Sequence, residues 1–313
     1  RKTEIFLFIW YNGSILLKTW CSLLYKTFLI WSTKNHTNER IFPMNKKLIA
    51  VDLDGTLLNS ESKLSPYTIE TIQKISKQGH RVIITTGRPY RMADHIYKEL
   101  GLESPMINFN GALTHIPNKK WSKELSMTLD KKYLLDMVER ENDIQADFIA
   151  GEYRNKFYVT HTYHHTIDPA LFGVSKISSK TKFEARKVTE NPNAILFQTR
   201  AKDKYALAEE MRDYYHHELE INSWGGPLNI LECAPKGVNK AFALNHLLET
   251  YGLDRKDLIA FGDEQNDTDM LAFAGTGYAM KNANPVLLPY ADKLTDYTND
   301  QDGVARQLEK LFL

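Results

Sequence analysis

Apolar and polar positions alternate along this chain in two different rhythms. Leu48–Val51 is an unbroken apolar run, the pattern of a strand covered on both faces, and it leads into Asp52-Leu53-Asp54-Gly55-Thr56. Ser65-Pro66 predicts a helix start, with Ser as N-cap and Pro at the first helical position. Ile69, Ile72 and Ile75 form that helix's stripe, and Gly79 ends it. Residues 81–86 read as a second buried strand that runs into Thr86-Gly87-Arg88-Pro89. A helix through Tyr97 and Leu100 ends at Gly101, and a third strand over 105–109 reaches Asn110-Gly111-Ala112. Strand, helix, strand, helix, strand with short connections predicts an α/β doubly wound parallel sheet. Ligands bind such sheets beyond the carboxyl ends of the strands. Asp52, Thr86 and Asn110 each stand at such an end.

From about Leu129 to Leu228 the texture changes. A helix over 131–141 precedes strands at 146–150 and 156–160; a strand at 194–199 precedes a helix over 204–216 and a strand at 219–223. This grouping predicts an inserted α+β domain. His161, His164 and His165 between them fit no standard zinc spacing and read as exposed loop residues. The chain returns at Leu228-Asn229-Ile230-Leu231. A helix starting within 236–240 is expected to face inward through Val238, Ala241, Phe242, Leu244 and Leu248. A strand at 258–261 ends in Gly262-Asp263-Glu264-Gln265-Asn266-Asp267. Another strand follows at 277–280, and a last helix follows Gly303. The expected domains are a core in two parts, 44–128 and 229–313, around an insertion at 129–228.

Residues 1–43 do not match this grammar. They hold Trp10, Trp20 and Trp31 and are strongly apolar from Ile5 to Trp31, interrupted by Lys18 and Lys26. The longest uncharged run, 5–17, is shorter than the ~20 residues a spanning helix needs, and no small-residue cleavage site follows it. Met44 stands just before the first strand. We expect 1–43 to be upstream sequence translated through a misplaced start, with a membrane anchor over 5–31 as the alternative.

Composition narrows the partners. With 313 residues the chain has room for about two domains. It is 42% hydrophobic and 25% charged with a formal net charge of +1, which makes no electrostatic case for nucleic acid. Two cysteines, Cys21 and Cys233, are too few for a disulfide framework and fit a reducing, cytoplasmic setting.

The candidate chemistry begins with Asp52 and Asp54. In an extended chain, i and i+2 point the same way, and two carboxylates so placed repel unless a cation or a shared proton sits between them. Gly55 lets the chain turn there. Thr86 followed by Gly87 at a strand end is a natural anion seat, where a hydroxyl and free amides meet one phosphate.

Asp52-Leu53-Asp54-Gly55-Thr56, Thr86-Gly87-Arg88, Lys240 and Gly262-Asp263-x-x-Asn266-Asp267, in that order, resemble the four motifs of the haloacid dehalogenase (HAD) superfamily of phosphatases. Asn110-Gly111-Ala112, and an insertion between the second and third motifs, resemble its Cof-type, type IIB branch. The resemblance implies a Rossmann-like core with an inserted C2B-type cap, and it covers nearly all of 44–313.

The resemblance also implies roles. Asp52 would attack phosphorus as nucleophile. Asp54 would be general acid for the leaving alcohol and then base for water, its protonated form favoured by negative neighbours. Mg²⁺, which takes oxygen ligands, would be held by Asp52, the Asp54 main-chain carbonyl and Asp263, with Asn266 and Asp267 nearby. Thr86 and Lys240 would hold phosphate oxygens; Lys236 competes, but Lys240 matches the family position better. Leu53, Gly87, Arg88, Asn110 and Asn266 are further candidates for the substrate, Arg88 being open between substrate and a core carboxylate. The implied function is a Mg²⁺-dependent phosphatase of small phosphorylated metabolites, sugar phosphates or cofactor phosphates, working through an aspartyl-phosphate. Alternatives are a sugar phosphomutase and a catalytically silent metabolite-binding regulator.

Overall fold

A computed structural model of the chain describes residues 46–161, 167–224 and 228–313. The expected upstream segment, the Met44 start, His164 and His165 lie outside these residues. The first part runs β1 (Leu48–Val51), α1 (Pro66–Lys77), β2 (Arg81–Ile84), α2 (Tyr90–Glu99), β3 (Met106–Asn108), β4 (Leu113–His115) and β5 (Leu125–Ser126). Next come α3 (Lys131–Glu139), β6 (Ala146–Glu152), β7 (Phe157–Val159), β8 (Ala194–Thr199), α4 (Lys204–Tyr214), β9 (Leu219–Ser223) and β10 (Ile230–Pro235). The chain closes with α5 (Lys240–Tyr251), β11 (Leu258–Gly262), α6 (Thr268–Phe273), β12 (Thr276–Ala279), β13 (Lys293–Leu294) and α7 (Gly303–Phe312).

A parallel sheet in the order β13-β12-β11-β1-β2 forms the core. β1 lies between β11 and β2, with Val51 opposite both Phe261 and Ile84. Side chains alternate faces along a strand, and both faces of β1 are covered. Ile49 and Val51 pack with Ile72 and Ile75 of α1, Ile96 of α2 and Leu308 of α7. Leu48 and Ala50 pack with Leu244 and Leu247 of α5 and Met270 of α6. That double cover is why the strand reads as one apolar run. Burying each of the larger side chains stabilises by about 2 kcal/mol. Helix α1 starts as expected, with the Ser65 hydroxyl accepting from the Thr68 amide.

Three details differ from the sequence reading. β3 touches the parallel sheet through one bridge, Thr85 to Ile107, and otherwise pairs antiparallel with β4, which pairs with β5. The chain doubles back through Phe109 and Asn110, both at φ 51°, so β3 is spent on a hairpin.

Second, the return to the core does not fall at 229. A second sheet, antiparallel in the order β7-β6-β8-β10-β9, includes β10 and so runs to Pro235. The strand's alternation explains this. Leu231 and Cys233 face the helix-covered side with Leu134, Met137, Leu207 and Met211, while Ile230 faces the other with Phe148, Leu196 and Phe172.

Third, α5 begins at Lys240, with Asn239 as N-cap accepting from the Phe242 amide. Its buried face is Lys240, Ala243, Leu244, Leu247 and Leu248, and Phe242 is exposed. Val238, Leu244 and Leu248 are buried as expected, while Lys240, Ala243 and Leu247 take the inward places expected for Ala241 and Phe242. Among the described residues, no helix is long and apolar enough to cross a membrane.

Candidate active site

The turn after β1 is built by close packing. The Asp52 amide donates to the Phe261 carbonyl at 3.1 Å, so the sheet still holds the first residue past the strand. Asp54 is extended, with φ −73° and ψ 125°, and Gly55 is left-handed at φ 71°. A Cβ on Gly55 would lie 2.2 Å from Asp263 Oδ2, so this position requires glycine for space as well as for φ. Leu53 points into the core and has only its main chain to offer a ligand. The Thr56 hydroxyl donates to Asp263 Oδ1 at 2.7 Å.

β11 delivers the opposing carboxylates. Asp267 is fully buried. Its Oδ2 accepts from the amides of Asp263 (3.0 Å) and Glu264 (3.2 Å), and its Oδ1 accepts from Lys240 Nζ at 2.6 Å. The same ammonium donates to Asp52 Oδ1 at 2.6 Å. Lys240 is itself fully buried, whereas Lys236 is exposed. Carboxylate oxygens of Asp52, Asp263 and Asp267 lie within 4.8 Å of one another.

Three carboxyls thus face one ammonium. Burial pushes the Asp52 carboxyl well above its ordinary value, the charges of Asp267 and Asp263 add to this, and Lys240 opposes it. Burial, with the Asp267 charge, pushes Asp263 up to about 7 against the Thr56 hydrogen bond and Lys240. Burial works against the Lys240 ammonium, but Asp267 and Asp52 outweigh it and raise its pKa. Surplus negative charge on an all-oxygen donor set suits a hard divalent cation.

The remaining candidates separate. Thr86 is buried; its hydroxyl accepts from the Arg88 amide at 3.1 Å, and its carbonyl accepts from the Asn110 amide at 3.1 Å. Gly87 packs against Asn110, whose side-chain oxygen and nitrogen would each lie 3.1 Å from a Cβ there. Arg88 is directed at Asp54, a carboxylate, one of the two kinds of partner left open in the sequence. Its Nε donates to Asp54 Oδ2 at 2.7 Å and its Nη2 to Oδ1. The side chain bonded to Asp54 is therefore a cation. Asn266, expected at the metal, is exposed and donates to Asn110 Oδ1 at 3.0 Å; the buried member of the 3₁₀ turn Gln265–Asp267 is Asp267. Of the loop histidines, His161 pairs with Glu141.

Other residues went unread in the sequence. Asn110 Nδ2 donates to Glu232 Oε1 at 3.1 Å, and Trp224 Nε1 donates to Glu232 Oε2 at 2.8 Å. Arg91 forks Glu152 through bonds of 2.7 and 2.8 Å. Gly87 and Phe109 of the core, with Glu152, Leu196, Trp224 and Glu232 of the inserted part, line one cleft. A lone carboxylate inside the apolar strand Leu231-Glu232-Cys233 was the available signal for Glu232.

The sequence profile of the haloacid dehalogenase-like hydrolases matches residues 49–308. The chain belongs to that family. Among its HAD relatives is the 5-amino-6-(5-phospho-D-ribitylamino)uracil phosphatase YitU of Bacillus subtilis (strain 168), 35% identical over 85% of this chain and 97% of the relative. A second phosphatase of the same name from that organism, YcsE, is 31% identical over 85% and 96%. A solved HAD-like hydrolase from Bacteroides thetaiotaomicron superposes with a TM-score of 0.71 at 28% identity, covering 85% of this chain and all of the other. A HAD subclass IIB sugar phosphatase shares the fold, with a TM-score of 0.71 at 18% identity over 85% and 99%. Like its HAD relatives the chain is a phosphoric monoester hydrolase.

Proposed function

We propose that the chain is a Mg²⁺-dependent phosphatase of small phosphorylated metabolites that works through an aspartyl-phosphate on Asp52. The observation that supports this most directly is the contact of Asp52 with Lys240 at 2.6 Å beside Asp263 and Asp267. Asp52 is a buried carboxylate at the mouth of a parallel sheet, fixed in place and held beside a cation.

Asp52 attacks phosphorus as the ester P–O bond breaks, and Asp54 gives its proton to the departing oxygen. Asp54 then takes a proton from water, water oxygen bonds to phosphorus, and the O–P bond of the Asp52 acyl phosphate breaks, returning the carboxylate and releasing orthophosphate. To serve in both steps one Asp54 oxygen exchanges its Arg88 bond for the leaving oxygen while the other keeps its bond and holds the carboxyl in orientation; Asp54 is the exposed member of the set. Lys240 spreads the charge that develops on the phosphoryl group, and Asp267 orients Lys240 by accepting one of its protons. Asp52 and Asp263 would hold Mg²⁺, with the Asp54 carbonyl as a third oxygen. The ion would neutralise phosphoryl oxygens. Thr86, Gly87 and the main chain of Leu53 would seat the remaining oxygens.

The relative YitU is named for 5-amino-6-(5-phospho-D-ribitylamino)uracil, which makes that compound the first candidate here, among sugar phosphates and cofactor phosphates. The fitting compartment is the cytoplasm, where such metabolites occur. The test is a phosphate-release screen of the full chain against a metabolite panel with and without Mg²⁺, beside Asp52→Asn. We expect Mg²⁺-dependent release that Asp52→Asn abolishes while the fold persists by circular dichroism. Equal turnover by the variant would refute the mechanism.

A further inference from the structure

We infer that Glu232 selects the substrate by accepting a hydrogen bond from a hydroxyl or N–H of the leaving group, with the Trp224 ring as the adjoining apolar wall. The inference rests on the phosphatase reading above and adds the chemistry of the group being released.

The argument starts from burial. Glu232 is 6% exposed and Glu152 4% exposed, yet both line the cleft between the parallel-sheet core and the antiparallel sheet. A buried carboxylate is costly unless hydrogen-bonded. Asn110 and Trp224 each supply one bond to Glu232, and Arg91 supplies two to Glu152. Both donors to Glu232 are themselves held. Asn110 sits in the left-handed turn after β3, and the Trp224 amide donates to the Ile230 carbonyl at 3.0 Å. A carboxylate has about four acceptor positions. Two of those on Glu232 are taken by these fixed donors, which leaves acceptor capacity beside the cleft.

The rest of the lining is apolar: Phe109, Leu196 and the faces of Trp224. A fixed acceptor in apolar walls suits a leaving group that carries donors on a partly apolar frame, such as an alditol chain or a ring with N–H groups. The cleft also adjoins the phosphate end. Asn110, one hydrogen bond from Glu232, meets Thr86 through its amide, packs on Gly87 and accepts from Asn266. A leaving group joined to a phosphate seated at Thr86 therefore meets the cleft at Gly87, and the cleft, about 20 Å³ in this structure, widens to admit it. A site built to bond a substrate hydroxyl discriminates strongly against analogues that lack it.

The test compares ribitol 5-phosphate, whose leaving group carries four hydroxyl donors, with p-nitrophenyl phosphate, whose leaving group carries none. We expect Glu232→Gln to lower the ratio of kcat/KM values, ribitol 5-phosphate over p-nitrophenyl phosphate, at least tenfold, because an amide cannot satisfy Asn110, Trp224 and the substrate together. Trp224→Phe keeps the ring and removes its N–H, and should lower the same ratio by a smaller factor. It carries the test if Glu232→Gln fails to melt cooperatively. A ratio unchanged in a folded variant, or equal loss on both substrates, overturns the inference. Wild-type protein that releases phosphate from no member of the panel would instead overturn the phosphatase reading.

Discussion

Arg88 grips Asp54 along one edge of its guanidinium, Nε to Oδ2 at 2.7 Å and Nη2 to Oδ1. A guanidinium donates only, so both oxygens of the acid/base candidate are occupied as acceptors, and their orientation is set by a planar fork that lysine cannot reproduce. Arg88→Lys should lower kcat roughly 10- to 100-fold through lost positioning, with the larger loss on alkyl phosphates, whose leaving oxygen needs a proton. Steady-state kinetics on an alkyl and an aryl phosphate check this. A rise in KM at constant kcat would show that Arg88 binds substrate instead.

Asp267 accepts from Lys240 and from two amides while fully buried. Removing one partner of a buried, hydrogen-bonded ion pair costs about 3–5 kcal/mol. Asp267→Ala should lose stability of that order in urea unfolding, and lose turnover because Lys240 then leans on Asp52 alone. A stability change under about 1 kcal/mol would mean that solvent reaches Lys240.

Asp263, pushed up from 3.8 to about 7, binds a proton more tightly folded than unfolded. Its contribution to stability is therefore present at low pH and is lost as pH rises through about 7. A cation takes the place of that proton only when the carboxyl is ionised. Thermal melts with and without Mg²⁺ should show a larger rise in Tm at pH 8 than at pH 5. Equal rises would place the ion elsewhere.

His115 behaves in the opposite sense. It is fully buried, with Nε2 3.0 Å from Asn108 Oδ1 and Nδ1 3.1 Å from Arg154 Nη2. Burial first, and then the Arg154 charge, lower it from 6.5 to about 3. The unfolded chain takes up a proton that the folded one refuses, so stability falls as pH drops below 6.5, by at most about 1.4 kcal/mol per pH unit. His115→Gln should flatten Tm against pH between 6.5 and 4.

What could be read from sequence follows from what depends on neighbours in the chain. That Asp52, Thr86 and Asp263 stand at strand ends was legible, because a buried strand ending in a polar residue marks the mouth of a parallel sheet. Lys240 was legible by its place in the motif order, and Leu244 and Leu248 by the apolar period, but only the fold shows that a lysine leads the buried face. The partner of Arg88 was not legible. Neither were the pairs Arg91 with Glu152 and Asn110 with Glu232, which bring together residues 61 and 122 positions apart. Nothing local encodes such contacts. Glu232 stands out as a carboxylate in an apolar strand, but its Asn110 bond, like the Arg91 bond to Glu152, exists only where the antiparallel sheet meets the core.

The bend between β10 and α5 joins two tasks on one short path. Glu232 stands on the strand; Gly237, at φ 71° with open space around it, turns the chain; Asn239 is pressed against Gly111 and caps the helix that Lys240 begins. Length is therefore constrained here more tightly than in ordinary surface loops, which absorb insertions cheaply. An added residue would be felt at one end as a shifted carboxylate in the cleft, or at the other as an ammonium withdrawn from Asp52. New substrates are more readily reached by exchanging side chains around the cleft than by lengthening the chain that borders it.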